Sequence, residues 1–491
     1  MNAEEPQKPS LAQRALAAHS AVALLASALL YIIALSGALV VVAPHLQRWE
    51  QPSAPEHDAI EPAAVEAAIA AALARDAGKS PTTHIYVRLP DEYLPRTAVT
   101  TDHASWYVDG AGRPMMREAS AWTEFLLALH INLTLPVTWG MLLVGGIGVA
   151  LAAITLTGVL ALPKIFQDAF SLRARHEPRI ARADWHNRLG TWTLPFALTI
   201  ALTGAVIGLG SASVALLARS DAGGNMLAIY GMIFGEEPRE DPAPAPLANT
   251  ARALASLTAR FPDVRPTYVI IDHPGTRGQW IQILAEHPRR LIYGESYRFN
   301  AAGDYLGKVG LSDRETGRQA LASIYRLHFG TFAGLPVALA YVAMGLALCV
   351  ITATGTTLWL RKRERAGHDV TRLAASWRTV VWGAPLVLVI ALWARWLLGP
   401  DTPLAMLFWL MLAAMMAVAA AWPRLASDYS LQRAAAPVLG CTGAAHLAVS
   451  GLGPSPLLIV NAALLMTATV VAASAKRGVG QTERWPCRPT A

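Results

Sequence analysis

Apolar residues gather into long uninterrupted runs, at about 16–44, 133–162, 189–217 and 335–360, with weaker ones near 380–398, 403–422, 434–452 and 456–475. A run of about 20 apolar residues crosses a hydrocarbon core of about 30 Å, so the pattern predicts eight transmembrane helices. Lys8 and Arg14 precede the first run, which makes a cleaved signal peptide the competing reading. The apolar region of a signal peptide has only about 7 to 15 residues, so a retained anchor is expected.

The connecting segments set the expected orientation. Lys164, Arg173, Arg175, Arg179 and Arg182 follow the second run, and Arg361, Lys362, Arg363 and Arg365 follow the fourth. Positive charge in short loops marks the cytoplasmic side. Arg424, Arg433, Lys476 and Arg477 fall on that side as well, so both termini are expected inside. The long polar segments then face outward. Each has a Pro-rich linker, an Ala-rich helical stretch (EPAAVEAAIAAALARDAG from Glu61; PLANTARALASLTARF from Pro246) and short alternating strands. The strands are expected at THIYVRLP and SWYVDGAGRP in the first, and at TYVIIDH, QWIQILAEH and YRFNAAGDYLG in the second, with Gly at the turns. The expected fold class is a membrane all-α helical bundle with two small α+β outer modules. It divides as 1–44 (tail and first helix), 45–123 (first module), 124–162 (second helix), 163–185 (basic loop), 186–217 (third helix), 218–326 (second module), 327–360 (fourth helix), 361–378 (basic loop) and 379–491 (four-helix extension).

Composition agrees. Only 15% of the 491 residues are charged, against about 25% in soluble domains. The net charge of +7 arises from Lys and Arg beside the apolar runs, which sets nucleic acid aside. Cys349, Cys441 and Cys487 lie too far apart for a disulfide framework or a Cys-ligated cluster, and no Cys-x-x-Cys-His offers covalent haem attachment.

The first 360 residues read as one unit used twice. HSAVALLASALLYIIALSGALV from His19 parallels HNRLGTWTLPFALTIALTGAVI from His186, and Gly37 and Gly204 each follow their histidine by 18 positions. ALHINLTLP around His130 leads to ITLTGVLALP, and RLHFGTFAGLP around His328 leads to ITATGTTLWLR. Pro163 and Arg361 each follow their histidine by 33 positions. Parallel repeats imply a pseudo-two-fold axis along the membrane normal, which puts equivalent residues at equal depth. His19 then pairs with His186 near the inner face, and His130 with His328 near the outer face. Two histidine pairs suit bis-imidazole ligation of two b-type haems in a helical bundle. The bland alternative is helix capping or an interfacial role for each histidine. Zinc is the other metal, but a zinc site takes three or four close ligands, and each face offers two.

Other features carry less. His45 could compete at the outer site; His176 lies in the basic loop; His446 has no repeat partner. His57, His84, His103, His273, His287 and His368 read as solvated loop or strand residues. Gly145, Gly146 and Gly148 follow no strand and read as close helix packing rather than a nucleotide fingerprint. Arg14, Arg188 and Arg326 stand near the proposed ligands, as partners for haem propionates or as headgroup anchors, and Arg395 is expected to snorkel. Trp106, Tyr107, Trp122, Tyr293, Tyr297 and Tyr325 line an outer ligand site or, on the plainer reading, pack in cores and interfacial belts. No nucleophile elbow or triad spacing supports a hydrolase.

This order of helix, outer module, LH-containing helix, basic loop, WHNRLG helix, second module and LHFGTFAG helix resembles the PepSY-associated transmembrane family of iron-regulated inner-membrane proteins, over about residues 10–362. The outer modules are similar to PepSY domains, ending in YVDGAGRP and YRFNAAGDYLG. The resemblance implies an inner-membrane ferric-siderophore reductase with two haem b per chain, held by His19, His186, His130 and His328. It departs after His19, where HSAVAL replaces an HRWLG-like continuation.

The expected function is electron transfer from the inner pair to the outer pair and on to a periplasmic ferric siderophore. Fe(II) then leaves because hard oxygen donors hold Fe(III) far better. With no flavin or nicotinamide domain, the donor is a membrane quinol or a cytoplasmic reductase. Two rivals stand beside it: PepSY-type regulation of a secreted peptidase, which leaves the histidine pairs unused, and a siderophore permease, which calls for charge at the bilayer midplane. The extension after 362 braces the bundle, forms a quinol site or docks a partner.

Overall fold

The computed structural model describes residues 9–167, 169–170, 178–221, 223–226, 240–287, 291, 294–309, 316–451 and 455–480. They fall into two compact units, one of 1–50, 121–208 and 338–491, the other of 51–120 and 209–337.

The first unit is helical. Ser10 caps α1 (Leu11–Val40) in a reciprocal capping box with Gln13. There follow α2 (Ala43–Glu50), α4 (Ala121–Asn132), α5 (Val137–Ala161), α6 (Pro178–Trp192) and α7 (Leu194–Gly208), with α3 (Pro62–Arg75) belonging to the other unit. The C-terminal helices are α11 (Gly334–Arg365), α12 (Thr371–Leu398), α13 (Leu404–Ala421), α14 (Asp428–Ser450) and α15 (Ser455–Gly480). Among the described residues six helices are long and apolar enough to cross a membrane: α1, α5, α11, α12, α13 and the 457–476 part of α15. The chain is a multi-pass membrane protein.

Two of the eight expected spans differ. The run at 189–217 is not one helix: α6 and α7 meet at a bend of 65°. Pro195, in the first turn of α7, lacks the N–H donor that would carry the hydrogen-bond ladder of α6 across the bend. The run at 434–452 lies in α14, a 23-residue helix carrying Asp428, Arg433, Pro437 and His446, and it does not reach the apolarity of the six.

The core of this unit is built around α12. Val380, Val387, Leu388, Ala391 and Leu392 are buried with Tyr31 of α1, Trp122, Phe125 and Leu129 of α4, and Phe408 and Leu412 of α13. Close packing at the α5 glycines is seen where α7 crosses: a Cβ at Gly148 would stand 2.9 Å from the Ala205 nitrogen, and one at Gly208 would stand 2.7 Å from the Gly145 Cα. Gly146 faces open space.

The second unit corrects the expectation of two separate modules. Its eight strands form one antiparallel sheet in the order β4-β3-β2-β1-β5-β6-β7-β8. The first half is β1 (His84–Arg88), β2 (Thr97–Thr100), β3 (Ser105–Val108) and β4 (Pro114–Arg117); the second is β5 (Arg265–Asp272), β6 (Trp280–Glu286), β7 (Glu295–Phe299) and β8 (Tyr305–Val309). The halves join through β1 and β5, in the register Tyr86 to Ile270 and Val87 to Val269. That pairing covers what would be an open edge on each half-sheet. Helices α3 (Pro62–Arg75) and α9 (Thr250–Arg260) pack on the sheet through Val65, Ile69, Leu254 and Leu257. Helices α8 (Gly210–Asp221) and α10 (Thr316–Phe329) complete the unit.

Two turns repeat along with the halves. Gly112 between β3 and β4 has φ +80°, and Gly303 between β7 and β8 has φ +83°. Each turn sits on the first turn of its own half's helix: a Cβ at Gly112 would collide with the Ala64 carbonyl, and one at Gly303 would stand 2.9 Å from the Asn249 oxygen. Only glycine meets both demands.

Candidate functional site

Two of the four sequence-selected histidines come together in the helical unit. His19 lies in the third turn of α1 and His186 in α6, and their ring centroids are 6.3 Å apart with planes at 82°. An imidazole nitrogen binds a metal at about 2.0 Å and lies about 1.15 Å from its own ring centre, so two imidazoles on opposite sides of one iron have centroids about 6.3 Å apart. The observed pair has that separation.

Each ring is held by its far nitrogen. His19 donates Nδ1–H to the carbonyl oxygen of Ile154 on α5 at 2.9 Å, and His186 donates Nδ1–H to the carbonyl oxygen of Ile351 on α11 at 3.0 Å. A carbonyl only accepts, so Nδ1 carries a proton and Nε2 is the nitrogen left for a metal. Metal-ligating histidines are commonly oriented in this way.

A glycine one turn after each carbonyl makes room for the ring. A Cβ at Gly158 would lie 3.3 Å from Cε1 of His19, and one at Gly355 would lie 2.7 Å from Cε1 of His186. Both histidines thus rest in a seat made of an Ile carbonyl and a glycine four residues on. His130, the third selected residue, has the same seat on α1: it donates Nδ1–H to Ile33 at 3.0 Å, and a Cβ at Gly37 would stand 2.8 Å from its Cε1.

His328 belongs to the second unit, near the end of α10, with its ring 6.0 Å from that of Phe329 at 70°. Arg326 on the same helix is buried and pairs with Glu286 of β6 at 3.0 Å. Arg188 lies two residues after His186 and Asp184 two residues before it, and both are buried. Arg14 is exposed on the first turn of α1.

The remaining histidines part from the ligand reading in different ways. His446 is buried with both nitrogens engaged: Nε2–H donates to the Trp49 carbonyl at 2.8 Å, and Nδ1 accepts from Asn461 at 3.1 Å. Trp49 stacks on its ring at 4.2 Å and donates Nε1–H to Asn461 at 2.9 Å. His446 is therefore a brace between α2 and the C-terminal helices. His45 lies half-buried on α2, and His176 is outside the described residues. His84 sits beside Asp272, its partner across β1 and β5, at 3.3 Å.

The aromatic residues follow the plainer reading. Tyr107 and Tyr297 are in the core of the sheet unit, and Trp106 lies under the guanidinium of Arg75, 4.5 Å away. Trp122 is buried in the helical unit and donates to the Leu388 carbonyl at 3.0 Å; Tyr325 is exposed; Tyr293 is outside the described residues.

The seats are what a search for histidines alone passes over. Their signal is a five-residue segment, Ile-x-x-Ser/Thr-Gly, present at 33–37, 154–158, 200–204 and 351–355. The ends of these segments mark the repeat, but nothing in their composition announces a contact with imidazole.

The model of a family described as the PepSY-associated TM region matches residues 16–362. An uncharacterized protein of Pseudomonas aeruginosa is 30% identical over 265 residues, which cover 51% of this chain and 66% of that protein, just under two thirds of its length.

Proposed function

The chain belongs to the PepSY-associated transmembrane family, and from that premise we propose that it is a di-haem b electron-transfer protein of the bacterial inner membrane that reduces a periplasmic ferric siderophore. The observation that carries this reading is the approach of the His19 and His186 rings to 6.3 Å between centroids with both Nδ1 atoms committed to carbonyls.

His19 and His186 hold one haem, and the sequence repeat gives the second to His130 and His328. Haem b, when bound, supplies a one-electron Fe(III)/Fe(II) couple whose potential the protein sets through axial ligands and their hydrogen bonds. The chain's own residues do the rest. The Ile154 and Ile351 carbonyls fix the tautomer and tilt of each ring, and Gly158 and Gly355 admit it to the helix surface. The basic loops after the second and fourth expected spans support a cytoplasmic side for the His19 and His186 end, where a quinol or a cytoplasmic reductase delivers electrons. On that orientation the PepSY-like sheet unit is outside, where the ferric siderophore is met. Its iron, once reduced, is poorly held by hard oxygen ligands and is released.

The test is the reduced-minus-oxidised visible spectrum of the detergent-purified protein, with haem counted by pyridine haemochrome. Sharp low-spin b-type bands at about two haems per chain are expected, with one lost in His19→Ala and in His186→Ala. Colourless protein from cells supplied with haem would overturn the reading.

A further inference from the structure

In each of the four Ile-x-x-Ser/Thr-Gly segments the hydroxyl before the glycine turns back on its own helix. Ser36 donates to Ile32 at 2.8 Å and Ile33 at 3.2 Å; Thr157 to Ala153 at 2.6 Å and Ile154 at 3.1 Å. Thr203 donates to Thr199 at 2.6 Å and Ile200 at 3.4 Å; Thr354 to Val350 at 2.7 Å and Ile351 at 3.1 Å. Back-bonding of this kind is ordinary for Ser and Thr in helices. What is not ordinary is the acceptor: the longer arm in three of the four ends on the same Ile carbonyl that accepts Nδ1–H from His130, His19 or His186.

That oxygen is crowded. It has two lone pairs, and within its own helix it also accepts the N–H of the glycine four residues on. Hydroxyl, amide and imidazole therefore compete for it. The more of its electron density the hydroxyl takes, the weaker the pull on the imidazole proton, and the less electron-rich the Nε2 on the far side of the ring.

We propose that the Thr157 hydroxyl, with Ser36 and Thr354 in the equivalent places, is a positioning residue that tunes the donor strength of the seated histidine and so raises the reduction potential of the haem it holds. This rests on the haem reading of His19 and His186. Thr157 is the cleanest case. Thr354 also lies 3.3 Å from the His186 Nδ1 and acts on that proton as acceptor as well as competitor, so its two effects oppose.

The experiment is a redox titration of full-length protein carrying Thr157→Val, which keeps the shape and removes the hydroxyl. The Ile154 carbonyl then accepts more strongly from His19, electron donation to the iron rises, and the potential of that haem falls. The expected change is up to about tenfold in the one-electron equilibrium, or ~59 mV. Thr157→Ser restores the original value. Thr155→Val is the control: Thr155 is on the same helix and donates only to Leu151, at 2.7 Å, so its loss leaves the potential in place. If Thr157→Val does not retain haem, Thr157→Cys, a weaker donor, shows a shift of the same sign. An unshifted potential in a haem-bearing Thr157→Val or Thr157→Cys protein overturns the inference, as does an equal shift in Thr155→Val. Failure of the haem reading is distinguishable: the wild-type spectrum would then lack the bands that His19→Ala removes.

Discussion

The backbone of Gly355 runs so close to His186 that a Cβ there would stand 2.7 Å from the imidazole Cε1, whereas at Gly158 the distance to His19 is 3.3 Å. The first contact forces the ring to move, and the second asks for a shift of a few tenths of an ångström. Overpacking costs about 1–3 kcal/mol, while Gly→Ala inside a helix gains roughly 0.5–1 kcal/mol. Gly355→Ala is therefore expected to lower haem content at the inner site by about tenfold or more and to leave thermal stability of the haem-free protein equal or somewhat lower. Gly158→Ala is expected to be milder. Haem per chain and melting temperature, measured side by side, check this; equal haem retention in the two variants would count against a seat.

A second expectation separates bracing from ligation. His446 uses Nε2 on the Trp49 carbonyl and Nδ1 on Asn461. His446→Ala takes the imidazole from the Trp49 carbonyl and from the side-chain N–H of Asn461, each loss costing about 1–3 kcal/mol. The variant should unfold several degrees earlier and still carry two haems per chain. Loss of one haem at unchanged stability would make His446 a ligand.

The joined sheet predicts that damage travels between the halves. Val87 and Val269 are cross-strand partners at the seam of β1 and β5, and both are fully buried. Val87→Ala should cost about 1–2 kcal/mol and speed amide exchange in β6 as well as in β2. Exchange raised only in the first half would mean that the two halves are independently stable.

How much of this was legible follows the range of the signal. Helix α1 and strands β1, β5 and β6 were readable because period and run length are local properties. Strand β2, the short TAVT stretch at 97–100, passed unnoticed between the stronger strands. The joining of β1 to β5 was not legible, because strands about 180 positions apart pair through hydrogen bonds that any extended backbone offers. The break before Pro195 carried its signal openly, yet the apolar run continued through it and masked the bend. The histidine pairing came from the repeat. The seats were present in the same repeat, but a backbone carbonyl leaves no mark in sequence, and only the glycines beside it hinted at the close approach.

The last expectation concerns pH and the sheet unit. Glu118 accepts from Arg88 at 2.9 Å, from Ser105 at 2.6 Å and from Tyr107 at 3.2 Å. Burial pushes its carboxyl up, but the Arg88 charge and these hydrogen bonds outweigh burial and hold it below the usual carboxylate range. A carboxyl with a depressed folded-state value stabilises the fold above its unfolded value of about 4.3 and loses that contribution as pH falls through the folded one. Glu118→Gln should therefore be less stable than wild type by about 2 kcal/mol at pH 7, since the half-buried Arg88 loses its counter-charge. The gap should narrow as pH falls below the unfolded value and close once pH passes the depressed folded one, where the wild-type carboxyl takes up its proton and Arg88 loses the same partner. Tryptophan-fluorescence melting of both full-length proteins from pH 7 to pH 3.5 measures the difference. A gap that stays constant over that range would show that Glu118 acts through packing rather than charge.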